Sequence, residues 1–165
     1  MARILIVGGG CRGRQLAATL VGEGHAVRIT TRSEAGRAAI EESGAECWIG
    51  TPDRLATLRA ALENVTILCW LLGSATGGAD EVRALHGPRL EFFTRQAIDT
   101  TVRGFVYEPC ATNAPAETVR GGVEAVREIA ERNAIPLAVL TAEPSDVPAW
   151  CAEAHAAVGS LLIGA

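Results

Sequence analysis

The chain has 165 residues and a formal net charge of −4, and 48% of its residues are hydrophobic and 21% charged. This mixture is typical of a folded globular protein, and the length suits one domain over residues 1–165. An acidic chain without a basic stripe argues against nucleic acid, and no apolar run approaches the ~20 residues of a membrane helix. The N-terminal apolar run is too short for a signal peptide. We therefore expect a cytoplasmic protein with neither nucleic-acid nor membrane partners.

The residue types present exclude several mechanisms. All 15 basic residues are arginine, so a Schiff-base lysine, a phosphate-loop lysine and a Tyr–Lys catalytic pair are all ruled out. The 5 cysteines are far apart, lack a CxxC pattern and do not cluster with the 3 histidines. This spacing fits neither a zinc site nor a disulfide framework, so we expect reduced thiols and no metal.

Short apolar runs alternate with helix-period segments in the first half of the chain. We predict strands at residues 3–7, 26–31, 45–49 and 65–72, the last being the most apolar, as in the middle of a parallel sheet. The predicted helices are residues 12–21, a short helix that Ser33 caps and that stops at Gly44, and a helix that begins at Thr51-Pro52 with Leu55, Leu58 and Leu62 facing inward.

The alternation continues in the second half, after a segment rich in glycine and small polar residues. We predict that residues 73–87 form a long loop, either a surface loop or a lid over a ligand. Helices at 88–100, 115–132 and 145–162 then alternate with strands at 102–107 and 137–141. Six strands with helices between them predict an α/β fold, a single-domain, doubly wound, mostly parallel sheet of order 3-2-1-4-5-6, the Rossmann fold.

A glycine-rich motif lies between the first predicted strand and the first predicted helix. Gly8, Gly10 and Gly13 form a G-x-G-x-x-G pattern, with Gly9 and Cys11 in between. In this pattern the first glycine permits a tight turn, the second lets the backbone approach a pyrophosphate, and the third lets the helix pack close to the sheet. The motif predicts a dinucleotide on the N-terminus of the helix. A glycine-rich turn without a ligand is the alternative.

The end of the second predicted strand bears on which dinucleotide binds. NAD sites usually place an acidic residue there, but this chain has Arg32 between Thr31 and Ser33. Arginine can pair with a 2′-phosphate through two N–H bonds, the neighbouring hydroxyls can add donors, and Arg12 could reach the same phosphate or the pyrophosphate. The pattern favours NADP. NAD remains the alternative, with Arg32 in solvent and Glu34 nearby.

Residues 3–33, with Arg-Ser after the second strand, resemble the atypical and extended short-chain dehydrogenase/reductases. These include the NAD-dependent epimerase/dehydratase branch and its NADP-binding NmrA-like relatives, and residues 103–107 resemble the family's fifth strand. The resemblance implies a cofactor across the carboxyl ends of the strands. It further implies that Gly50 and Thr51 lie near the adenine, and that Leu71, Leu72 and Gly73 lie along the adenosine or nicotinamide ribose.

The chain departs from this family at the catalytic motif. The family's YxxxK pattern is absent, because the residue four positions after Tyr107 is Ala111. Tyr107 also falls where the family has a structural strand tyrosine. We expect no C-terminal substrate domain of the kind that extended members carry, and no standard Tyr–Lys hydride chemistry.

Other residues are weak catalytic candidates because they follow predicted strands. Ser74 and Cys110 are two of them, although Cys110 is also typical of a small apolar side chain. Glu108 could be a general base in an apolar pocket, but an exposed loop carboxylate is the favoured interpretation. Cys11, at a helix N-terminus, is either a reactive thiol or simply a small residue. We interpret His86 as a loop residue that could touch substrate.

The last predicted helix carries an apolar surface, formed by Trp150, Val158, Leu161, Leu162 and Ile163. A homodimer would cover it, although packing on the sheet is the alternative.

Two functions follow from the sequence. The first is an NADP(H)-dependent oxidoreductase of the atypical reductase/epimerase type, acting on an unknown small substrate. The second is a non-catalytic NADP(H) sensor or regulatory subunit, and a chain that works only within a larger complex is a third reading.

Overall fold

Six parallel strands form the centre of the protein in the computed structural model, which describes residues 1–109 and 114–164. Their order is β3-β2-β1-β4-β5-β6, and each neighbouring pair is parallel. The predicted α/β fold class and strand order are therefore confirmed. The strands are β1 (Arg3–Gly8), β2 (Ala26–Thr31), β3 (Glu46–Ile49), β4 (Ile67–Leu71), β5 (Gly104–Tyr107) and β6 (Leu137–Val139).

Helices cover both faces of the sheet. They are α1 (Gly10–Gly22), α2 (Arg37–Glu42), α3 (Ala79–Leu85), α4 (Pro88–Ile98), α5 (Ala116–Arg132) and α6 (Val147–Ile163). Successive side chains of a strand point to opposite faces. In β1, accordingly, Ile4 and Ile6 pack in a core with α1 and α6, whereas Leu5 and Val7 pack in a core with α4 and α5.

The segment after β3 differs from its prediction. Two 3-10 turns, Leu55–Thr57 and Arg59–Leu62, replace the predicted α-helix. A local cause is Thr57, whose carbonyl accepts the Trp48 indole N–H at 2.8 Å while its hydroxyl accepts the Thr51 amide at 2.9 Å. The Trp48 bond occupies the Thr57 carbonyl, which a continuous helix would use within its own hydrogen-bond ladder. Thr51 is therefore part of a turn rather than a helix cap.

Residues 73–87 are also more ordered than the predicted long loop, because they contain α3. Two acidic residues, Asp80 and Glu81, lie in the first turn of α3, and Glu81 accepts the Gly78 amide at 3.1 Å. Acidic residues favour a helix N-terminus. After β2, Ser33 precedes a 3-10 turn, Glu34–Gly36, and makes no side-chain capping bond to it, which corrects its predicted capping role.

The apolar surface predicted on the last helix is largely buried within the chain. Trp150, Val158 and Leu161 pack in the core against α1 and the sheet, although Ile163 is exposed. Gly104 permits this packing, because a Cβ atom there would lie 3.2 Å from Leu161 Cβ. The packing removes the apolar-surface argument for a homodimer, which stays an untested prediction. Within residues 1–109 and 114–164, no helix has the length and apolarity to cross a membrane.

Candidate functional site

The turn between β1 and α1 requires glycine at its first two positions. Gly8 and Gly9 both have φ of 85°, a conformation that side chains other than glycine rarely adopt. A Cβ atom at Gly8 would lie 2.4 Å from Leu72 Cδ2 and 2.6 Å from the Leu71 carbonyl oxygen. The Gly9 amide donates to the same Leu71 oxygen at 2.6 Å. The turn is thus fastened to the carboxyl end of β4.

The other two glycines of the motif have different surroundings. A Cβ atom at Gly10 would meet nothing within 4 Å, so this position is open. A Cβ atom at Gly13 would lie 3.1 Å from the Gly8 carbonyl oxygen, so α1 packs closely against the turn. The first-turn amides of α1 have no partners within the helix and, with the helix dipole, favour an anion at its N-terminus. Cys11 is the second residue of this helix and is exposed.

A cleft of about 260 Å³ lies above this turn, where the sheet order reverses between β1 and β4. Ligands of open parallel sheets bind at such a reversal. The cleft brings together predicted cofactor residues and part of the loop after β4. Its lining residues are Gly8, Gly9, Gly10, Arg32, Leu71, Leu72, Ser74, Ala75 and Thr76.

Other predicted cofactor residues are engaged in packing. Gly50 is buried, and a Cβ atom there would lie 2.9 Å from both Leu58 Cδ2 and the Thr57 oxygen. Gly73 is buried as well, and its amide is held by Glu108. Their predicted contacts with adenine and ribose stay predictions, while the structure gives both a place in the scaffold.

Arg32 stands at one end of the cleft and already has a counter-charge. Its side chain is 65% exposed, and Nη2 lies 3.5 Å from Asp53 Oδ2. The other oxygen of Asp53 accepts from Arg89 Nη1 at 2.6 Å. The sequence analysis missed Asp53 and Arg89, because they lie on a loop and a helix that are distant in sequence. Thr31 is half-buried beside Arg32, and Ser33 is exposed.

Arg12 points into the protein, which corrects its predicted direction toward the phosphates. Its guanidinium is buried and donates to Glu108 Oε1 at 2.7 Å and to Ser74 Oγ at 2.8 Å. The guanidinium carbon also lies 4.4 Å from the centre of the Trp150 ring. Since a carboxylate and an aromatic face both attract a guanidinium, these partners hold Arg12 inward.

Glu108 is fully buried, so the interpretation as an exposed loop carboxylate is wrong. Besides Arg12, its oxygens accept from the Trp150 indole N–H at 2.8 Å and from the Gly73 amide at 2.9 Å. A buried carboxylate is stable when it is paired and hydrogen-bonded in this way. Glu108 therefore joins α1, the loop after β4, the end of β5 and the start of α6 into one network.

Ser74 connects this buried network with the cleft. Its hydroxyl oxygen accepts from Arg12, and the residue lines the cleft. A serine hydroxyl that accepts one bond can still donate its own proton. Ser74 can therefore present a hydroxyl donor to a ligand. Cys110, another candidate, lies outside the described residues.

His86 is buried rather than placed on a loop surface, which corrects the interpretation from sequence. It follows α3, and Nδ1 lies 2.8 Å from the Tyr107 hydroxyl while Nε2 lies 3.2 Å from the Leu72 carbonyl oxygen. Burial lowers the pKa of His86 and raises the pKa of Tyr107. A neutral tyrosine and a neutral histidine therefore form a hydrogen-bonded chain that ends at the carbonyl of Leu72, a residue that lines the cleft. Across the described part of the chain, no group of three His, Cys, Asp or Glu residues could hold a metal ion.

Comparisons with known proteins find similarity in structure. Neither a family profile nor a curated protein matches the chain. A triphenylmethane reductase of Citrobacter sp., complexed with NADP(H), has a TM-score of 0.59 and 16% identity over 83% of this chain and 48% of its own. A UDP-glucuronic acid 4-epimerase of Bacillus cereus, complexed with NAD, has a TM-score of 0.63 and 11% identity over 83% and 55%. Vestitone reductase of alfalfa (Medicago sativa) has a TM-score of 0.57 and 15% identity over 84% and 56%.

These similarities establish the fold. The chain spans about half of the length of these three proteins, and at 11% to 16% identity their substrates do not transfer to it. The similarity agrees with the resemblance to dehydrogenases, reductases and epimerases seen in residues 3–33. The chain thus has the same Rossmann fold as these two reductases and this epimerase.

Proposed function

We propose that this protein binds NADP(H) and acts as an oxidoreductase of the atypical reductase/epimerase type on a small substrate. The observation that carries the proposal is the cleft at the sheet reversal, with the glycine turn as its floor and Arg32 at its end. This combination provides amides for a pyrophosphate and a guanidinium for a 2′-phosphate. The solved structures of similar fold with NADP(H) or NAD support a nicotinamide dinucleotide.

The residues present fit this cofactor. Gly10 has open space where another residue would place a Cβ atom, so the backbone can approach a pyrophosphate. Arg32 is mostly exposed and lies at the end of β2, where the adenosine ribose is held in this fold. Leu71 and Leu72 add apolar surface beside the turn. The nicotinamide would supply hydride transfer when bound.

The chain's own contribution to chemistry is orientation and a hydrogen-bond donor at the cleft. Ser74 is held by Arg12 and faces the cleft, so its hydroxyl can donate to a carbonyl or a phosphate there. Glu108 orients Arg12 and the Gly73 amide, and it is a positioning residue because it is buried beneath the cleft. Tyr107 is buried against His86.

A non-catalytic NADP(H) sensor is the second candidate. The sensor role is favoured because Glu108 and Tyr107 are both buried and already hydrogen-bonded within the protein, to Trp150 and His86 respectively. Both candidates share the dinucleotide site. Turnover separates them, because a sensor binds NADPH without oxidising it.

A calorimetric titration with NADPH and NADH tests the shared site. We expect the wild type to bind NADPH more tightly than NADH, and Arg32→Ala to weaken NADPH about 10- to 100-fold while leaving NADH nearly unchanged, since a charge-assisted bidentate pair is lost. Arg95→Ala is the matched control, because Arg95 is similarly exposed and paired with Glu91. Absence of binding by both dinucleotides would overturn the proposal. NADPH oxidation with carbonyl or quinone substrates then separates enzyme from sensor.

A further inference from the structure

Asp53 lies next to the residue that would receive a 2′-phosphate. Its Oδ2 is 3.5 Å from Arg32 Nη2, and the carboxylate is about one-third exposed, at 36%. Two further contacts hold the Asp53 carboxylate in this position. Arg89 donates to its Oδ1 at 2.6 Å, and the Thr51 hydroxyl donates to its Oδ2 at 3.2 Å.

The two arginines hold this carboxylate unequally. The Arg89 contact is short, whereas the Arg32 contact is longer than an ordinary hydrogen bond. Arg32 can therefore turn to a new anion, while Asp53 stays with Arg89 and Thr51. A phosphate bound by Arg32 would then lie within a few ångströms of a fixed negative charge.

We infer that Asp53 is a specificity-determining residue that weakens the binding of a dinucleotide with a 2′-phosphate. The inference rests on the proposed function, because it assumes a dinucleotide in the cleft. A phosphate monoester carries close to two negative charges at neutral pH, so its repulsion from Asp53 is larger than that of a neutral hydroxyl. A 2′-hydroxyl, by contrast, could even donate to the Asp53 carboxylate. The chain thus combines a residue that attracts the phosphate with one that opposes it.

Asp53→Asn tests this role, because asparagine has nearly the same shape and no charge. We expect NADPH to bind about three- to tenfold more tightly to the variant, and NADH to bind with nearly unchanged or slightly lower affinity, given the modest strength of partly exposed charge pairs. The gain should shrink at 0.5 M NaCl, because salt screens exposed charges. Glu128→Gln on α5 is the control that removes the same charge from another exposed ion pair.

Arg89→Gln provides a change in the opposite direction. Without Arg89 the Asp53 carboxylate depends on Arg32, so NADPH should bind more weakly while NADH changes little.

If Asp53 merely holds its loop in place, Asp53→Asn would instead weaken both dinucleotides together and lower the melting temperature.

The outcomes separate this inference from the proposed function. Wild type that binds neither NADPH nor NADH would overturn both. Wild type that binds NADPH, with the same NADPH:NADH ratio in Asp53→Asn and Glu128→Gln, would overturn the role of Asp53 and leave the dinucleotide site intact.

Discussion

Arg12 and Arg32 are two arginines at the same cleft with opposite surroundings. Arg12 is buried, with its guanidinium on Glu108 and Trp150, whereas Arg32 is 65% exposed and only loosely paired with Asp53. Both are reasonable phosphate ligands when the sequence is considered alone. In the structure Arg12 belongs to the buried scaffold, because its carboxylate partner is close and buried. Arg32 stays accessible at the cleft, because its contact with Asp53 is long and exposed to solvent.

The buried arginine also determines the shape of the cleft. Arg12 holds the Ser74 hydroxyl, and Glu108 holds the Gly73 amide, so both fix the loop after β4. This loop forms one wall of the cleft, and Arg32 stands at its end. Arg12 therefore shapes the cleft, and Arg32 places a positive charge at its end.

Glu108→Ala should have the largest effect, because it removes the acceptor of Arg12, of the Trp150 indole and of the Gly73 amide at once. The change leaves Arg12 buried without its counter-charge, so we expect the free energy of unfolding to fall by about 3–5 kcal/mol. Urea denaturation measures the loss. Asp53→Ala, which removes the partner of both Arg32 and Arg89, should cost no more than about 1 kcal/mol because both ion pairs are partly exposed to solvent. Equal losses in the two variants would break the distinction between a scaffold arginine and an available one.

Gly8→Ala should have the next largest effect, because it disturbs the turn that precedes Arg12. The new Cβ atom would collide with Leu71 and Leu72 at a φ of 85°. We expect a loss of about 2–3 kcal/mol in the free energy of unfolding. Gly22→Ala is the control, since a Cβ atom there meets nothing within 4 Å and Gly22 lies in α1. A stability of Gly8→Ala equal to that of the control would show that the turn can relax away from β4.

The sequence predicts those features of the molecule that depend on neighbouring residues. The strand order follows from the alternation of apolar runs, and the glycine turn follows from residues 8–13, which contain all of its components. The short helix α3 had a local signal as well, since Asp80 and Glu81 precede Val82 and Leu85 at helical spacing. The glycines of residues 73–87 favoured a loop over this helix in the prediction.

The partners of the two arginines could not be predicted in the same way. Arg12 and Glu108 are 96 residues apart, and Asp53, the partner of Arg32, is held by Arg89, which lies 36 residues further along the chain. Neither pair follows a local periodicity, and each depends on how the strand ends and helices meet at the carboxyl edge of the sheet. For this reason the sequence identified Arg12 and Arg32 as candidates but could not determine which one faces the cleft.

The smallest effect that we expect concerns pH, and it distinguishes the buried side of the cleft from the exposed side. Burial lowers the pKa of His86 below its ordinary 6.5, although the Leu72 carbonyl and the Glu108 charge partly oppose this shift. Because the unfolded chain binds a proton more readily than the folded chain, this contribution to stability is fully present above pH 6.5 and is lost as the pH falls toward the pKa of the folded state. Between pH 7 and pH 5, the free energy of unfolding should therefore fall less in His86→Gln than in the wild type. Denaturation curves across this range measure the slopes. Identical slopes for His86→Gln and the wild type would show that His86 accepts a proton as readily in the folded protein as in the unfolded chain.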